Sequence, residues 1–254
     1  MISLSKGEIT TVTSSLDFSS TLTVGIEEKA LIEKALKRKV KTPEDYLEGG
    51  CIVASKYQFA AVACWPFQLE WLRKYLRKEY PKKQMVVNFP YGTLTLPMAL
   101  DQMKWGLDKG AEEIDSVVPP QYLQLEDYEF VRNYVSTLQK EARKYNVEVK
   151  SIIRVADLMK NSEETGSLSK VINAGKAVVD GGGAFIKTCT GWEDGKATIR
   201  IIRALKEAAK GSATKVKASG GITCIEDGLA LMAAGADRVA GRWPVVAQLE
   251  NLKI

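Results

Sequence analysis

Charged residues stand inside segments that otherwise read as buried β-strand, among them Asp115 in EEIDSVVPP, Lys187 in AFIKTCTG and Lys217 in TKVKASGG. A strand covered on both faces leaves a charged side chain without water, a cost met only where the charge is paired or put to use. Lys150 and Arg154 in VEVKSIIR, and Lys215 ahead of Lys217, belong to the same set. Period-two alternation places Lys187 on one face with Phe185 and Cys189, and Lys217 on one face with Lys215 and Ser219. Two amines and a carboxylate brought together suit carbonyl chemistry. An amine attacks a carbonyl only when neutral, and an ordinary lysine pKa of about 10.4 leaves roughly one molecule in a few thousand neutral at pH 7. Burial and a neighbouring ammonium both lower that pKa, and a shift of about three units corresponds to roughly 4 kcal/mol of environment. One lysine is then a Schiff-base nucleophile, the other holds its pKa down and shares in proton transfer, and Asp115 positions or relays a proton. A purely structural Lys–Asp pair closing a sheet needs only two of the three.

The elements that position these residues repeat along the chain. TVTSSLDF (11–18), FAAVACWP (59–66), QMVVNFPYG (84–92), EEIDSVVPP (112–120), VEVKSIIR (147–154), AFIKTCTG (184–191), TKVKASGG (214–221) and DRVAGR (237–242) read as strands, each followed by a helical pattern. Eight such units in 254 residues match a (β/α)8 TIM barrel of about 250 residues better than a doubly wound sheet of five or six strands. Lys109-Gly110-Ala111, Asp180-Gly181-Gly182-Gly183 and Ala234-Gly235-Ala236 place glycine between a helix and the next strand. With no Pro- or Ser-rich linker, residues 1–254 are expected to form a single α/β domain. The long stretch from Gly25 to Lys56 predicts an extra helix near the N-terminus. If Lys187, Lys217 and Asp115 point into the lumen near the strands' C-terminal ends, they lie where barrel enzymes keep their active sites.

Composition narrows the chemistry further. The chain has no histidine, which removes Ser-His-Asp and Cys-His nucleophile systems and every histidine-containing zinc site. Cys51, Cys64, Cys189 and Cys224 form no C-x-x-C pair, and the N-terminus lacks a signal-like apolar run, so a reduced, cytoplasmic protein is expected. No apolar run approaches the ~18 residues of a membrane span. The excess of 36 Lys and Arg over 31 Asp and Glu, a net charge of +5, suits anionic metabolites and is far from a nucleic-acid-binding face. The basic run from Arg73 to Lys78 reads as a solvated helix face.

FIKTCTG, VKASGGI, EEIDSVVP and VVNFPYG together resemble the class I deoxyribose-phosphate aldolases, with the similarity running from about Ser15 to Val246. The resemblance implies reversible joining of acetaldehyde to glyceraldehyde 3-phosphate, with no metal and no organic cofactor. It places the Schiff base on Lys187, with Lys217 and Asp115 as its catalytic partners, a further lysine at Lys150, and substrate-hydroxyl contacts at Asp17 in SSLDFSS. The residues implied around substrate and phosphate are Thr188, Gly191, Ser219, Gly220, Gly221 and Gly241, and Arg242, which the family pattern does not have, joins them on its own chemistry. A small aldehyde or sugar-phosphate substrate follows, with neither nucleic acid nor membrane as partner, and the habit of the family suggests a homo-oligomer. Cys64 in VACWP matches a family cysteine but reads as a small core residue.

Departures from the family pattern cluster on substrate recognition. The eighth-strand G-A-S-S run is Ala240-Gly241-Arg242-Trp243, T-G-K is Thr190-Gly191-Trp192, the basic residue after the G-G turn is Thr223, and Arg154 replaces a usual glutamate. Two hydroxyls are lost while Arg242 offers a fork suited to phosphate or carboxylate, and Trp192 and Trp243 offer apolar faces or simple packing at the rim. The alternatives are therefore the same chemistry on another sugar or keto acid, or a non-catalytic anion-binding barrel. Gly181-Gly182-Gly183 precedes a strand and reads as a turn, and Gly195-Lys196-Ala197 lacks the spacing and the Ser/Thr of a P-loop.

Overall fold

The computed structural model describes residues 4–19, 26–159, 168–192 and 195–252. Its strands are β1 (Leu16–Phe18), β2 (Ala61–Cys64), β3 (Lys82–Val87), β4 (Glu113–Val117), β5 (Glu148–Ile152), β6 (Phe185–Lys187), β7 (Lys215–Ala218) and β8 (Arg238–Gly241). They close in sequence order into a parallel barrel, with β8 pairing back onto β1. Seven of them lie inside segments read as strand from the sequence, while β3 starts two residues ahead of its segment, at Lys82. The alternation has a clear physical basis: Phe18, Val62, Met85, Ile114, Ile186 and Val216 point outward into the buried apolar layer beneath the helices, while the residues between them turn into the lumen.

The helices are α1 (Lys6–Thr13), α2 (Ile26–Leu36), α3 (Pro43–Lys56), α4 (Leu69–Tyr75), α5 (Leu96–Asp108), α6 (Pro120–Gln124), α7 (Tyr128–Arg143), α8 (Val155–Met159), α9 (Ser169–Asp180), α10 (Ile199–Ala208), α11 (Ile225–Ala233) and α12 (Trp243–Asn251). The extra helix expected between Gly25 and Lys56 is present, as the pair α2 and α3. Three expectations need correction. The strand read from residue 11 begins only at Leu16, because Thr10 to Thr13 belong to α1. Ser5 and Glu8 cap that helix reciprocally, and Val12 packs against Gly228 of α11, so the cap and the packing override a β-branched run. Arg154 lies beyond the end of β5 instead of within it. The basic run beyond Tyr75 leaves α4, and only its first part, with Lys74 2.9 Å from Glu44, forms a solvated helix face. Gly181 to Gly183 form the turn between α9 and β6. Among the described residues no helix is long and apolar enough to cross a membrane.

Candidate active site

Lys187 is the last residue of β6, and its neighbour across the sheet is Lys217 of β7. Both side chains turn inward and end on one carboxylate oxygen of β4: Asp115 Oδ2 is 2.6 Å from Lys187 Nζ and 2.7 Å from Lys217 Nζ. The two nitrogens are thus no farther apart than the sum of those contacts. Asp115 and Lys217 are fully buried, while Lys187 keeps 4 % of its surface open, so Lys187 is the amine nearer the mouth. β4 is two strands away from β6, so the carboxylate reaches across the lumen instead of along the sheet. The next residue, Ser116, points the other way and shares a 3.0 Å hydrogen bond with the buried Tyr134 hydroxyl, which also donates to the Val117 carbonyl at 3.0 Å. α7 thereby clamps β4 from outside.

Below this trio the lumen is filled with charge. Lys217 Nζ also meets Asp17 Oδ2 of β1 at 2.5 Å. Lys150 of β5 pairs with Glu113 and donates to Gln84 Oε1 at 3.1 Å. Arg238 of β8 holds Asp17, donating from Nε at 2.9 Å, and reaches Glu113 on the opposite strand at 3.1 Å. Burial raises the pKa of Asp17 and Asp115, but the surrounding cations outweigh it and hold both carboxyls below the ordinary range, so both are ionised. Burial dominates at Lys217, with Lys187 and Lys150 adding repulsion; Asp115 and Asp17 offset only part of this, and the amine is pushed down to about 8. Lys150 goes the other way: Glu113, Asp17 and Asp115 outweigh burial and raise it.

A cavity of about 280 Å³ opens above the lumen at the C-terminal ends of β6, β7 and β8. Its wall includes Gly191, Ser219, Gly220, Gly221, Arg242 and Glu28. Gly220 and Gly221 have φ of +93° and +73°, and a Cβ on Gly220 would stand 2.5 Å from the Gly195 carbonyl oxygen, so only glycine lets the two loops close here. Thr188 anchors the same turn from below. Its hydroxyl donates to the Ser219 carbonyl at 2.9 Å and accepts from the Ser219 N–H at 2.9 Å. Arg242 Nη2 lies 3.4 Å from Glu28 Oε1, which α2 brings to the pocket.

Of the residues singled out from sequence, the structure brings Lys187, Lys217 and Asp115 together, with Gly191, Ser219, Gly220, Gly221 and Arg242 around the cavity. Four lie elsewhere. Lys150 and Asp17 are fully buried in the network under the amines, Thr188 spends its hydroxyl on backbone, and Gly241 presents its carbonyl to the Ser19 N–H at 3.0 Å instead of lining the cavity. Trp243 is a core residue, edge-on to Phe18 at 5.2 Å. Trp192 borders the cavity, 6.1 Å from Trp65. Arg154 ties the rim, donating to the Pro90 carbonyl at 3.0 Å and to Asp157 at 2.6 Å. Cys64 faces the helices, and burial raises its thiol. The sequence reading missed Glu113 and Arg238, although both are charges within buried strands, and Glu113 stands two residues from Asp115 on the same face. Glu28 had no such signal, since it sits on a helix outside the barrel wall.

A closed parallel barrel with two lysines on one carboxylate at its C-terminal mouth has its charged cluster where barrel enzymes keep their active sites. Residues 35–242 match the DeoC/LacD family aldolases, and the chain belongs to that family; it is a carbon–carbon lyase. A deoxyribose-phosphate aldolase of Thermococcus kodakarensis is 30% identical over 210 residues, covering 82% of this chain and 89% of that one. One from Caldicellulosiruptor saccharolyticus is 33% identical over 190 residues, covering 74% and 82%. The tetrameric deoxyribose-phosphate aldolase of Aeropyrum pernix superposes with a TM-score of 0.73 at 22% identity, covering 98% of this chain and 100% of that one, a likeness of fold.

Proposed function

We propose that Lys187 is the Schiff-base nucleophile of an aldolase that reversibly cleaves 2-deoxy-D-ribose 5-phosphate to acetaldehyde and glyceraldehyde 3-phosphate. The observation that carries this reading is the single oxygen of Asp115 held between Lys187 and Lys217. Neutral Lys187 adds to the substrate aldehyde, and the resulting carbinolamine loses water to give an iminium. The hydroxyl on the carbon β to the iminium then loses its proton, the bond between the α and β carbons breaks, and its electron pair flows into the iminium to form an enamine. Glyceraldehyde 3-phosphate leaves. Protonation of the enamine carbon and hydrolysis of the new iminium release acetaldehyde and restore the amine. Asp115 and Lys217, with water, exchange the protons these steps require. Gly220, Gly221 and Arg242 receive the phosphate. The chain works as one domain in the cytoplasm and as a homo-oligomer, and the tetrameric assembly of the Aeropyrum pernix protein supports the last of these.

Borohydride reduction in the presence of acetaldehyde or deoxyribose 5-phosphate tests the proposal: mass is added at Lys187 in the native protein and not in Lys187→Ala. Equal trapping by that variant would remove Lys187 as nucleophile. A second reading is favoured by Glu28, whose carboxylate stands in the cavity beside Arg242. It keeps the chemistry and gives the enzyme an aldehyde with a less highly charged tail.

A further inference from the structure

The network under the two amines contains three carboxylates, Asp17, Glu113 and Asp115, and four cationic groups, Lys150, Lys187, Lys217 and Arg238. One proton is therefore in excess, and arginine does not give it up. Arg238 enters the lumen at the start of β8, level with Lys217 across the sheet. Its guanidinium spans the barrel from Asp17 on the neighbouring strand to Glu113 on the opposite one, with its side chain 15% exposed. Asp17 is the acid that also contacts Lys217, and Glu113 the acid that also contacts Lys150. Gln84, from β3, accepts from both Lys150 and Lys217 and adds no charge.

We infer that Arg238 is a positioning residue of the lysine site: its permanent charge engages Asp17 and Glu113, so the lumen holds too little negative charge to keep all three lysines protonated. The proton that leaves comes from the Lys187–Lys217 pair, because Lys150 is closed in by Glu113, Asp17 and Asp115. Arg238 contacts no part of the open cavity and acts through Asp17. The inference rests on the assignment of Lys187 and Lys217 as the working amines, yet it concerns their charge and not their turnover.

NMR titration of the full-length protein carrying 13Cε-lysine reads that charge directly, with the two signals assigned through Lys187→Met and Lys217→Met. In Arg238→Met the lower of the two midpoints is expected to rise by about one pH unit or more, and Arg238→Lys is expected to restore most of the shift. The acid limb of borohydride trapping at Lys187 moves upward with it. Should Arg238→Met fail to fold, Glu113→Gln tests the same balance with the opposite sign, since loss of a carboxylate lowers the midpoint. A folded Arg238→Met or Glu113→Gln protein with unchanged lysine midpoints overturns the inference. A shifted midpoint without any adduct at Lys187 sustains the role of Arg238 and overturns the nucleophile assignment instead.

Discussion

Lys187 and Lys217 converge on one oxygen of Asp115, at 2.6 and 2.7 Å. A carboxylate shared by two ammonium groups stabilises each less than it would stabilise one alone, and a proton released by either amine has an acceptor in contact. Burial removes the water that would otherwise screen the repulsion.

Removing the carboxylate's charge while keeping its shape separates positioning from proton transfer. Asp115→Asn is expected to lower kcat by about 10²- to 10⁴-fold, the range for loss of a general acid–base group. Lys187→Ala abolishes both turnover and the reduced adduct. Steady-state assays of aldehyde release, with mass mapping of the adduct, check both; an Asn variant within a few-fold of wild type would place the proton transfers on Lys217 and water.

The depressed Lys217 amine predicts an unusual pH dependence of stability. Between about 8, its folded value, and 10.5, its ordinary one, the unfolded chain binds a proton that the folded chain has released. Stability contributed by this group therefore rises with pH across that window and is lowest below it. Tyrosines and thiols whose pKa burial raises act in the opposite direction, so the measurement is a difference: urea midpoints at pH 8 and pH 10 for wild type and for Lys217→Met. The variant is expected to gain less, or lose more, than wild type over that interval. A parallel response in both proteins contradicts the shift.

Recognition of the substrate's charged end is tested by a pair of substitutions at the cavity wall. Arg242→Ala is expected to reduce kcat/KM for deoxyribose 5-phosphate by about tenfold or more, the loss of one charge-assisted contact, while leaving unphosphorylated deoxyribose nearly unaffected. Glu28→Gln is expected to raise the phosphorylated-to-unphosphorylated ratio. If neither ratio moves, the anionic group sits elsewhere.

Thr188→Val keeps the shape of a buried side chain but strands the Ser219 N–H that its hydroxyl now satisfies. A cost of about 1–3 kcal/mol in unfolding free energy follows from leaving a buried donor unpaired. The Gly220–Gly221 turn should loosen with it, raising KM for the phosphorylated substrate more than it lowers kcat. Chemical denaturation and steady-state kinetics together decide the point.

Much of this molecule is legible in order along the chain. Eight strand-and-helix units declare the barrel because each needs only local information: period-two apolar alternation, and glycine between a helix and the following strand. The same alternation tells which residues share a face with Lys187 and with Lys217, the closed barrel decides that those faces turn inward, and the type of chemistry follows from two amines, an acid and the want of histidine. Local signals also mislead where tertiary contacts outweigh them, as at Thr10 to Thr13, which join a capped helix packed on α11.

Distances across the lumen belong to closure of the sheet. That Asp115 meets both amines, that Arg238 spans to Glu113 on the opposite strand, and that Lys150 and Asp17 sit under the site instead of in its cavity depend on barrel shear and strand tilt, which no short window of residues encodes. Glu28 shows the limit most plainly. Its spacing is that of a surface helix, and it becomes part of the cavity wall only because α2 packs beside the start of α12. Period and composition set which way a side chain faces; which partner it finds there is decided by elements far apart in the chain, because electrostatic pairing depends on separation in space.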